Sequence, residues 1–284
     1  FLVYFVIFCF FFVLIFEFFE FLCFYYIVWW SVFVICTFVF VFIAKDGIFN
    51  CVISYFVLQE VCGYYFLVFN SWKIQFLLLM LKSGSAPFHF WLFSVLGGMK
   101  NWYVLWFLTL QKLPYFSVLV NFCGDFFFFI LFFGMIVCYF QIFLLRNFSD
   151  MLVGVSTESF NWLLLLSVFS FSDVFFLIFF YYFVMFLVIS YVYKSYSNFF
   201  SFEMVFVFFK VPLSITFFMK VLLLFSKGFF SGYFYLFLLL LMPLMSLSMG
   251  YFFFGVPKSS YSLGVKYYDY FVYVLFCFSL LVYF

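Results

Sequence analysis

Three lysines, Lys82, Lys112 and Lys220, lie inside long runs of apolar residues. A charged group at bilayer depth is costly, so such residues usually face a polar interior and mark pathways for ions or protons. A buried lysine can take up and release a proton when its surroundings change. These three lysines are therefore the candidate proton-carrying residues of the chain.

Each of the three lysines stands beside a predicted helix disruption. Proline removes a backbone donor and opens a helix, and helices broken at mid-membrane are where transporters bind ions. The pattern predicts that each lysine is positioned by an interrupted helix. The disruptions are Ser83-Gly84-Ser85-Ala86-Pro87 directly after Lys82, Leu113-Pro114 directly after Lys112, and Pro212, eight residues before Lys220.

Snorkelling is the alternative for these lysines, because a lysine near a helix end can lay its stem along apolar surface and reach the headgroups. Long apolar stretches on both sides of Lys112 and Lys220 argue against it, whereas Lys82 is open to both interpretations. Lys73 and Lys100 are predicted to be interfacial.

Two glutamates and a histidine are candidate partners of the lysines. Glu60 lies midway along an apolar run, and Glu158 belongs to the polar patch Ser156-Thr157-Glu158-Ser159. Either carboxylate could pair with a lysine. His89 could relay protons, although a hydrogen-bonded structural role fits it equally well. Glu17 and Glu20 are predicted to lie in a wet loop between two spans.

The composition requires lipid or apolar protein around the chain. Of its 284 residues, 71% are hydrophobic and 8% charged, with a mean hydropathy of +1.35. Ordinary globular domains are about 25% charged, so soluble enzymes, nucleic-acid binders and disordered modules are excluded. The net charge of +2 points to no polyanionic partner, and no soluble substrate is expected to bind directly. The 64 phenylalanines suggest a U-rich coding strand, as in a small organellar genome.

Cysteine and histidine usage predicts neither a metal nor a cofactor site in this chain. The eight cysteines stand singly in apolar runs, without C-x-x-C or zinc spacing. One histidine is too few for bis-histidine haem or a haem–copper centre. The sequence contains no ligand set for flavin, iron–sulfur clusters or haem.

The elements that must position these residues are transmembrane helices. A span needs about 20 apolar residues, and the apolar runs do not alternate with polar residues as barrel strands do. We predict an all-α membrane protein that is a single polytopic transmembrane domain over 1–284, without a soluble domain. About eleven spans are expected, near 1–17, 21–43, 50–69, 74–96, 102–120, 126–145, 151–169, 174–193, 203–226, 233–254 and 269–284.

The charges of the predicted loops are unequal on the two sides of the membrane. The loops that follow the second predicted span contain eight basic residues. Only two of these, Lys73 and Lys227, fall on one side. The positive-inside rule then places the N-terminus on the more positive side. The six residues on that side are Lys45, Lys100, Arg146, Lys194, Lys258 and Lys266.

Two segments resemble motifs of the NADH-ubiquinone oxidoreductase chain 2 family, the antiporter-like membrane subunits of respiratory complex I. The segment from Lys82 to Trp91, KSGSAPFHFW, is similar to the family's K-x-G-x-A-P-F-H-F-W, and Leu108 to Leu113 is similar to L-T-W-Q-K-L. The resemblance extends over an antiporter-like core of about 25–225. The C-terminal helices, 226–284, are similar only as apolar spans.

The resemblance implies inverted helical repeats with two broken helices and a central axis of lysines and glutamates. If the family's residue roles are transferred to the matching positions, Lys82 belongs to the first broken helix and Lys112 connects the two repeats. Lys220 then belongs to the second broken helix. It further implies a mitochondrial inner-membrane subunit with its N-terminus on the matrix side. The subunit would help couple quinone reduction to proton translocation. Expected partners are other membrane-arm subunits and lipids, with flavin, iron–sulfur clusters and quinone on other subunits.

The sequence departs from the family pattern at two positions. Phe33 stands where the family's W-x-G-x-E carries glutamate, and Ser159, beside Glu158, stands where S-x-x-H-M-G-W carries histidine. Two alternatives stay open, and the missing glutamate favours the first and weakens the second. One is a structural spacer subunit of the same complex with an incomplete proton path. The other is a free-standing cation/proton antiporter.

Overall fold

The computed structural model describes residues 12–13, 15–16, 20, 24–44, 47–99, 102–145, 148–169 and 243. Throughout these residues the regular structure is helical, without a strand, as the all-α prediction requires. We number the α-helices in chain order. They are α1 (Tyr26–Ile43), α2 (Phe49–Val68), α3 (Trp72–Ser83), α4 (Phe90–Leu96), α5 (Trp102–Leu108), α6 (Leu113–Phe122), α7 (Phe128–Leu144) and α8 (Phe148–Phe169).

Three helices in the described part are long and apolar enough to cross a membrane. They are α1, α2 and the stretch Asp150–Val168 of α8. They match the predicted spans 21–43, 50–69 and 151–169, and α7 is a shorter apolar helix within the predicted span 126–145.

The predicted spans 74–96 and 102–120 are each interrupted. The first is divided into α3 and α4 by the break 84–89, and the second into α5 and α6 by a 3-10 turn, Leu110–Lys112. Gly84 ends α3 with φ 65°, where a Cβ would also fall 2.6 Å from Leu92 Cδ1. Pro114 lies in the first turn of α6, where its missing N–H breaks no helical bond. Both disruptions expected beside Lys82 and Lys112 are confirmed.

The remaining predicted spans lie almost wholly outside the described residues. They are 1–17, 174–193, 203–226, 233–254 and 269–284, so the count of eleven stays a prediction.

Helix α8 is the centre of the described bundle. Within its apolar window 94% of the residues are buried, against 33% in α1 and 28% in α2. It packs against α4, α6 and α7, while α1 and α2 lie further out and contact α3, α4, α5 and α6 between them. The outer faces of α1 and α2 carry exposed aromatic and aliphatic side chains, which suits contact with lipid or with other apolar subunits.

Contacts at the two ends of the bundle show which turns lie together. At one end, the turn before α2 meets the turn after α4, where Ile48 N–H donates to the Gly98 carbonyl at 3.2 Å. At the other end, the start of α1 meets the end of α6, where Tyr26 stacks on Phe122 with ring centroids 6.2 Å apart. The pair α3–α4 and the pair α5–α6 therefore each run the length of the bundle as one interrupted span.

Candidate functional site

Lys112 is buried at the interruption between α5 and α6. Its side chain is 3% exposed, and Nζ donates to Ser156 Oγ of α8 at 2.9 Å. Nζ also lies 5.3 Å from the centre of the Phe160 ring, one turn further along α8. The side chain thus points into the bundle towards α8, which contradicts the snorkelling alternative for this lysine.

The turn that holds Lys112 is itself buried. Gln111 is 4% exposed, and its Nε2 donates to Tyr55 Oη of α2 at 2.7 Å. The backbone N–H of Lys112 donates to the Thr109 carbonyl at 3.2 Å, as a 3-10 turn requires. The interruption therefore directs two consecutive polar side chains to different helices.

Lys82 is buried in the last turn of α3. Its side chain is 2% exposed, so the snorkelling alternative is wrong for this lysine too. Nζ lies 5.0 Å from the centre of the Phe33 ring and 5.7 Å from that of the Tyr115 ring. Phe33, at the position where the resemblance implies a glutamate, is thus a direct neighbour of the ammonium group.

Side chains of other helices form hydrogen bonds with the backbone groups that the break after Lys82 exposes. Gln59 Nε2 of α2 donates to the Lys82 carbonyl at 2.9 Å. Asn161 of α8 makes two bonds with Ala86: the Ala86 N–H donates to Oδ1 at 3.2 Å, and Nδ2 donates to the Ala86 carbonyl at 3.3 Å. An opened backbone is tolerated at membrane depth only when its polar groups find such partners.

The acids near the first lysine are held by hydroxyl groups. Glu60 is partly buried, and its Oε1 accepts from Thr37 Oγ1 of α1 at 3.2 Å. Glu20 is 1% exposed, and its Oε2 accepts from Ser117 Oγ of α6 at 3.2 Å. The prediction of a wet loop at Glu20 is wrong, because this residue is packed against α6. Glu17 lies outside the described residues.

Glu158 is fully buried on another side of α8 from Ser156. Its Oε1 accepts from Tyr139 Oη of α7 at 3.0 Å and from Trp162 Nε1 at 2.8 Å. Two residues along a helix correspond to a rotation of about 200°. The structure therefore brings Ser156 to Lys112 and Glu158 to α7. Ser159 Oγ donates to the Val155 carbonyl of its own helix at 2.8 Å.

His89 is the last residue of the break and is buried against α7. Its Nε2 is hydrogen-bonded to Gln141 Oε1 of α7 and lies 3.9 Å from Cys138 Sγ. The ring stacks on Phe90 with centroids 4.9 Å apart. These contacts match the hydrogen-bonded structural role that the sequence left open, and a role in proton relay stays a prediction.

Sequence reasoning missed Tyr115 and Asn161 as site residues, and it did not separate Ser156 from Glu158. Asn161 could have been found from the sequence, because an amide in an apolar predicted helix needs hydrogen-bond partners. Tyr115 could not have been found in this way, because nothing in the sequence distinguishes it from the other tyrosines among the 23. Lys220 and the second predicted broken helix lie outside the described residues.

Within the part of the chain that the structure describes, no three histidine, cysteine, aspartate or glutamate side chains group as metal ligands would. The expectation that cofactors belong to other subunits stays a prediction.

Comparison with known proteins gives two relatives with the same name. The chain is 46% identical over 214 residues to NADH-ubiquinone oxidoreductase chain 2 of Ascaris suum, which covers 75% of this chain and 71% of the relative. It is 39% identical over 215 residues to NADH-ubiquinone oxidoreductase chain 2 of Caenorhabditis elegans, covering 75% of this chain and 76% of the relative. No model of a protein family matches the chain.

Proposed function

The chain belongs to the NADH-ubiquinone oxidoreductase chain 2 family, and from this premise we propose that it is a proton-translocating membrane subunit of respiratory complex I. The subunit itself carries out no redox step. Lys82, Lys112 and Lys220 form its proton path, and flavin, iron–sulfur clusters and quinone are bound by other subunits. Its partners are the neighbouring membrane-arm subunits and lipid.

The observation that carries this proposal is the buried hydrogen bond from Lys112 Nζ to Ser156 Oγ at a helix interruption. A cation is expensive inside an apolar bundle, and intramembrane cations of this kind are characteristic of ion and proton pathways. A chain that needed only to fill space could carry an apolar residue here without that cost.

The first two lysines are connected through one turn of α6. Lys112 precedes the helix, and Tyr115, three residues later, places its ring beside Lys82 Nζ. Proton transfer at one lysine changes the local charge, which alters the proton affinity of the next. In the proposed mechanism such a charge change passes from Lys82 to Lys112 and onward to Lys220.

The test is substitution of Lys112→Met in the assembled complex, followed by measurement of proton pumping and quinone-linked NADH oxidation. We expect both to fall by roughly a hundredfold or more, the range in which proton-transfer groups contribute to rate. Lys73→Met is the control, because Lys73 is exposed and, in the described part of the chain, its Nζ lies against the Phe126 and Trp72 rings. If Lys112→Met leaves pumping stoichiometry and turnover intact, Lys112 has no role in the path.

A structural spacer subunit is the second candidate, and Phe33 favours it. An aromatic ring occupies the place beside Lys82 where the family carries a carboxylate. A spacer predicts that the Lys112→Met complex assembles at full size and pumps normally. The free-standing antiporter is tested by detergent purification, since it would migrate alone rather than with a large assembly.

We place the chain in the mitochondrial inner membrane with its N-terminus on the matrix side. This placement rests on the family and on the loop charges, and it treats residues 1–284 as one transmembrane domain.

A further inference from the structure

The ammonium group of Lys82 is enclosed by aromatic rings from two helices. Phe33 of α1 and Tyr115 of α6 have ring centroids 5.0 Å apart, at an interplanar angle of 46°. Both rings are buried, and Lys82 Nζ lies within 6 Å of each ring centre. We call Phe33 and Tyr115 the aromatic site of Lys82.

The remaining side of the ammonium group is kept open by Gly63 of α2. A Cβ atom at this position would fall 3.3 Å from Lys82 Nζ and 3.3 Å from Trp30 Nε1. That separation is close for a carbon and an ammonium nitrogen. Glycine therefore leaves the space that the lysine head occupies.

The hydroxyl of Tyr115 is hydrogen-bonded to another residue, and the ring of Tyr115 faces the lysine. Tyr115 Oη donates to Gln59 Oε1 at 3.2 Å, and the same Gln59 donates from Nε2 to the Lys82 carbonyl. One glutamine thus fixes both the orientation of the ring and the end of the helix that carries the lysine.

No described residue accepts a hydrogen bond from Lys82 Nζ, so the rings are its direct neighbours. Among the described residues, the carboxylates of Glu60 and Glu20 and the thiols of Cys36 and Cys62 lie close enough to act on its charge. Glu60 is bound by Thr37, one helical turn along α1 from Phe33. The nearby acids are thus engaged with hydroxyl groups.

We propose that Phe33 and Tyr115 are positioning residues that hold the Lys82 ammonium by cation–π attraction. A ring face attracts a cation without taking its proton, and the attraction is stronger where water is excluded. The aromatic site therefore supplies in this chain the fixed partner that a paired carboxylate would supply, and Lys82 keeps a proton that it can pass on. This inference rests on the proposed role of Lys82 in the proton path.

The test is a double-mutant cycle in the assembled complex with Phe33→Leu, Lys82→Met and the two combined. Phe33→Leu removes the ring, and we expect it to slow pumping by roughly five- to thirtyfold, which corresponds to about 1–2 kcal/mol. In the Lys82→Met background the same change should have no further effect on pumping, because no cation remains to be held.

A matched control and a second ring substitution separate the effect of the ring on Lys82 from its effect on packing. Phe40→Leu removes an equally buried ring of α1 that packs on Tyr55 and Phe107 and, among the described lysines, lies against none, so pumping should be unchanged. Tyr115→Leu removes the second ring and should slow pumping as Phe33→Leu does.

The proposal is overturned if Phe33→Leu slows pumping equally in both backgrounds, or if it leaves pumping unchanged while Lys82→Met abolishes it. If Lys82→Met itself pumps normally, the proposed function of Lys82 fails. The thermal inactivation temperature of the four complexes then decides on the aromatic site. Coupling between positions 33 and 82 supports it, and additive shifts reject it.

Discussion

At the scale of single residues, one hydrogen bond joins the middle of the chain to its central helix. Lys112 and Ser156 are 44 positions apart in sequence, and a hydrogen bond to a charged group contributes about 1.5–3 kcal/mol. Glu158, two positions further, is directed to Tyr139 instead. The carboxylate and the ammonium are therefore bound to separate hydroxyl partners on α7 and α8.

Ser156→Ala should destabilise the assembled complex by about 1.5–3 kcal/mol, because the Lys112 ammonium loses its hydrogen-bond acceptor inside the bundle. Pumping should slow as well. Thermal inactivation and pumping in proteoliposomes measure the two effects. The matched control is Ser159→Ala, because the Ser159 hydroxyl bonds, within the described bundle, to a carbonyl of its own helix. Equal effects of the two substitutions would contradict a specific role for Ser156.

At the scale of helices, the break between α3 and α4 is maintained by its neighbours. Its own residues contribute a glycine and a proline, but Gln59 and Asn161 supply the hydrogen bonds that α3 and α4 cannot make. Helix α7 approaches the same point through Gly134. A Cβ atom there would fall 2.6 Å from the carbonyl carbon of Ala86 and 3.0 Å from Asn161 Nδ2.

Gly134→Ala should therefore push α7 away from the break and disturb the Asn161–Ala86 pair. Overpacking of this kind costs about 1–3 kcal/mol, and we expect less assembled complex on native gels with a lower inactivation temperature. Gly124→Ala is the control, because apart from its chain neighbours no atom of the described residues lies within 4 Å of its added Cβ. A normal yield of Gly134→Ala complex would show that α7 does not need this close approach.

At the scale of the whole molecule, the interrupted spans determine which turns share a side. The turns before α2 and after α4 are hydrogen-bonded to each other, and they flank Lys45 and Lys100 in the sequence. Lys73 begins α3 at the opposite end, where Trp72 packs on Phe127 with ring centroids 5.4 Å apart. Within the described residues the fold matches the alternation on which the loop-charge prediction depends.

Single cysteines introduced at positions 45, 73 and 100 test this topology in vesicles of known orientation. Lys45→Cys and Lys100→Cys should react with a membrane-impermeant maleimide from the matrix side, and Lys73→Cys only from the other side, following the positive-inside rule. The unsubstituted chain is the control for its own cysteines. Labelling of positions 45 and 100 from different sides would contradict a single span made of α3 and α4.

The sequence was sufficient to single out Lys82 and Lys112 and to predict the helix interruptions beside them. A charge or a proline within an apolar run is a local feature, so its effect can be predicted without knowing the neighbours. The partners of these residues could not be predicted. Asn161 meets Ala86 across 75 positions, and that pairing depends on how the helices pack. Glu20 was misplaced for the same reason, since only the contact with α6 shows that it is buried.

The burial of α8 has a consequence for how the chain enters the membrane during synthesis. A helix that carries a serine, a glutamate and an asparagine is poorly suited to lipid by itself. Yet the partners of Ser156, Glu158 and Asn161 described above include Lys112, Tyr139 and Ala86, all of which the ribosome makes earlier. When α8 leaves the insertion machinery, a complementary polar surface is thus already in the membrane to receive it. In the described part of the protein, the polar residues of α8 are therefore synthesised after the residues that they pair with.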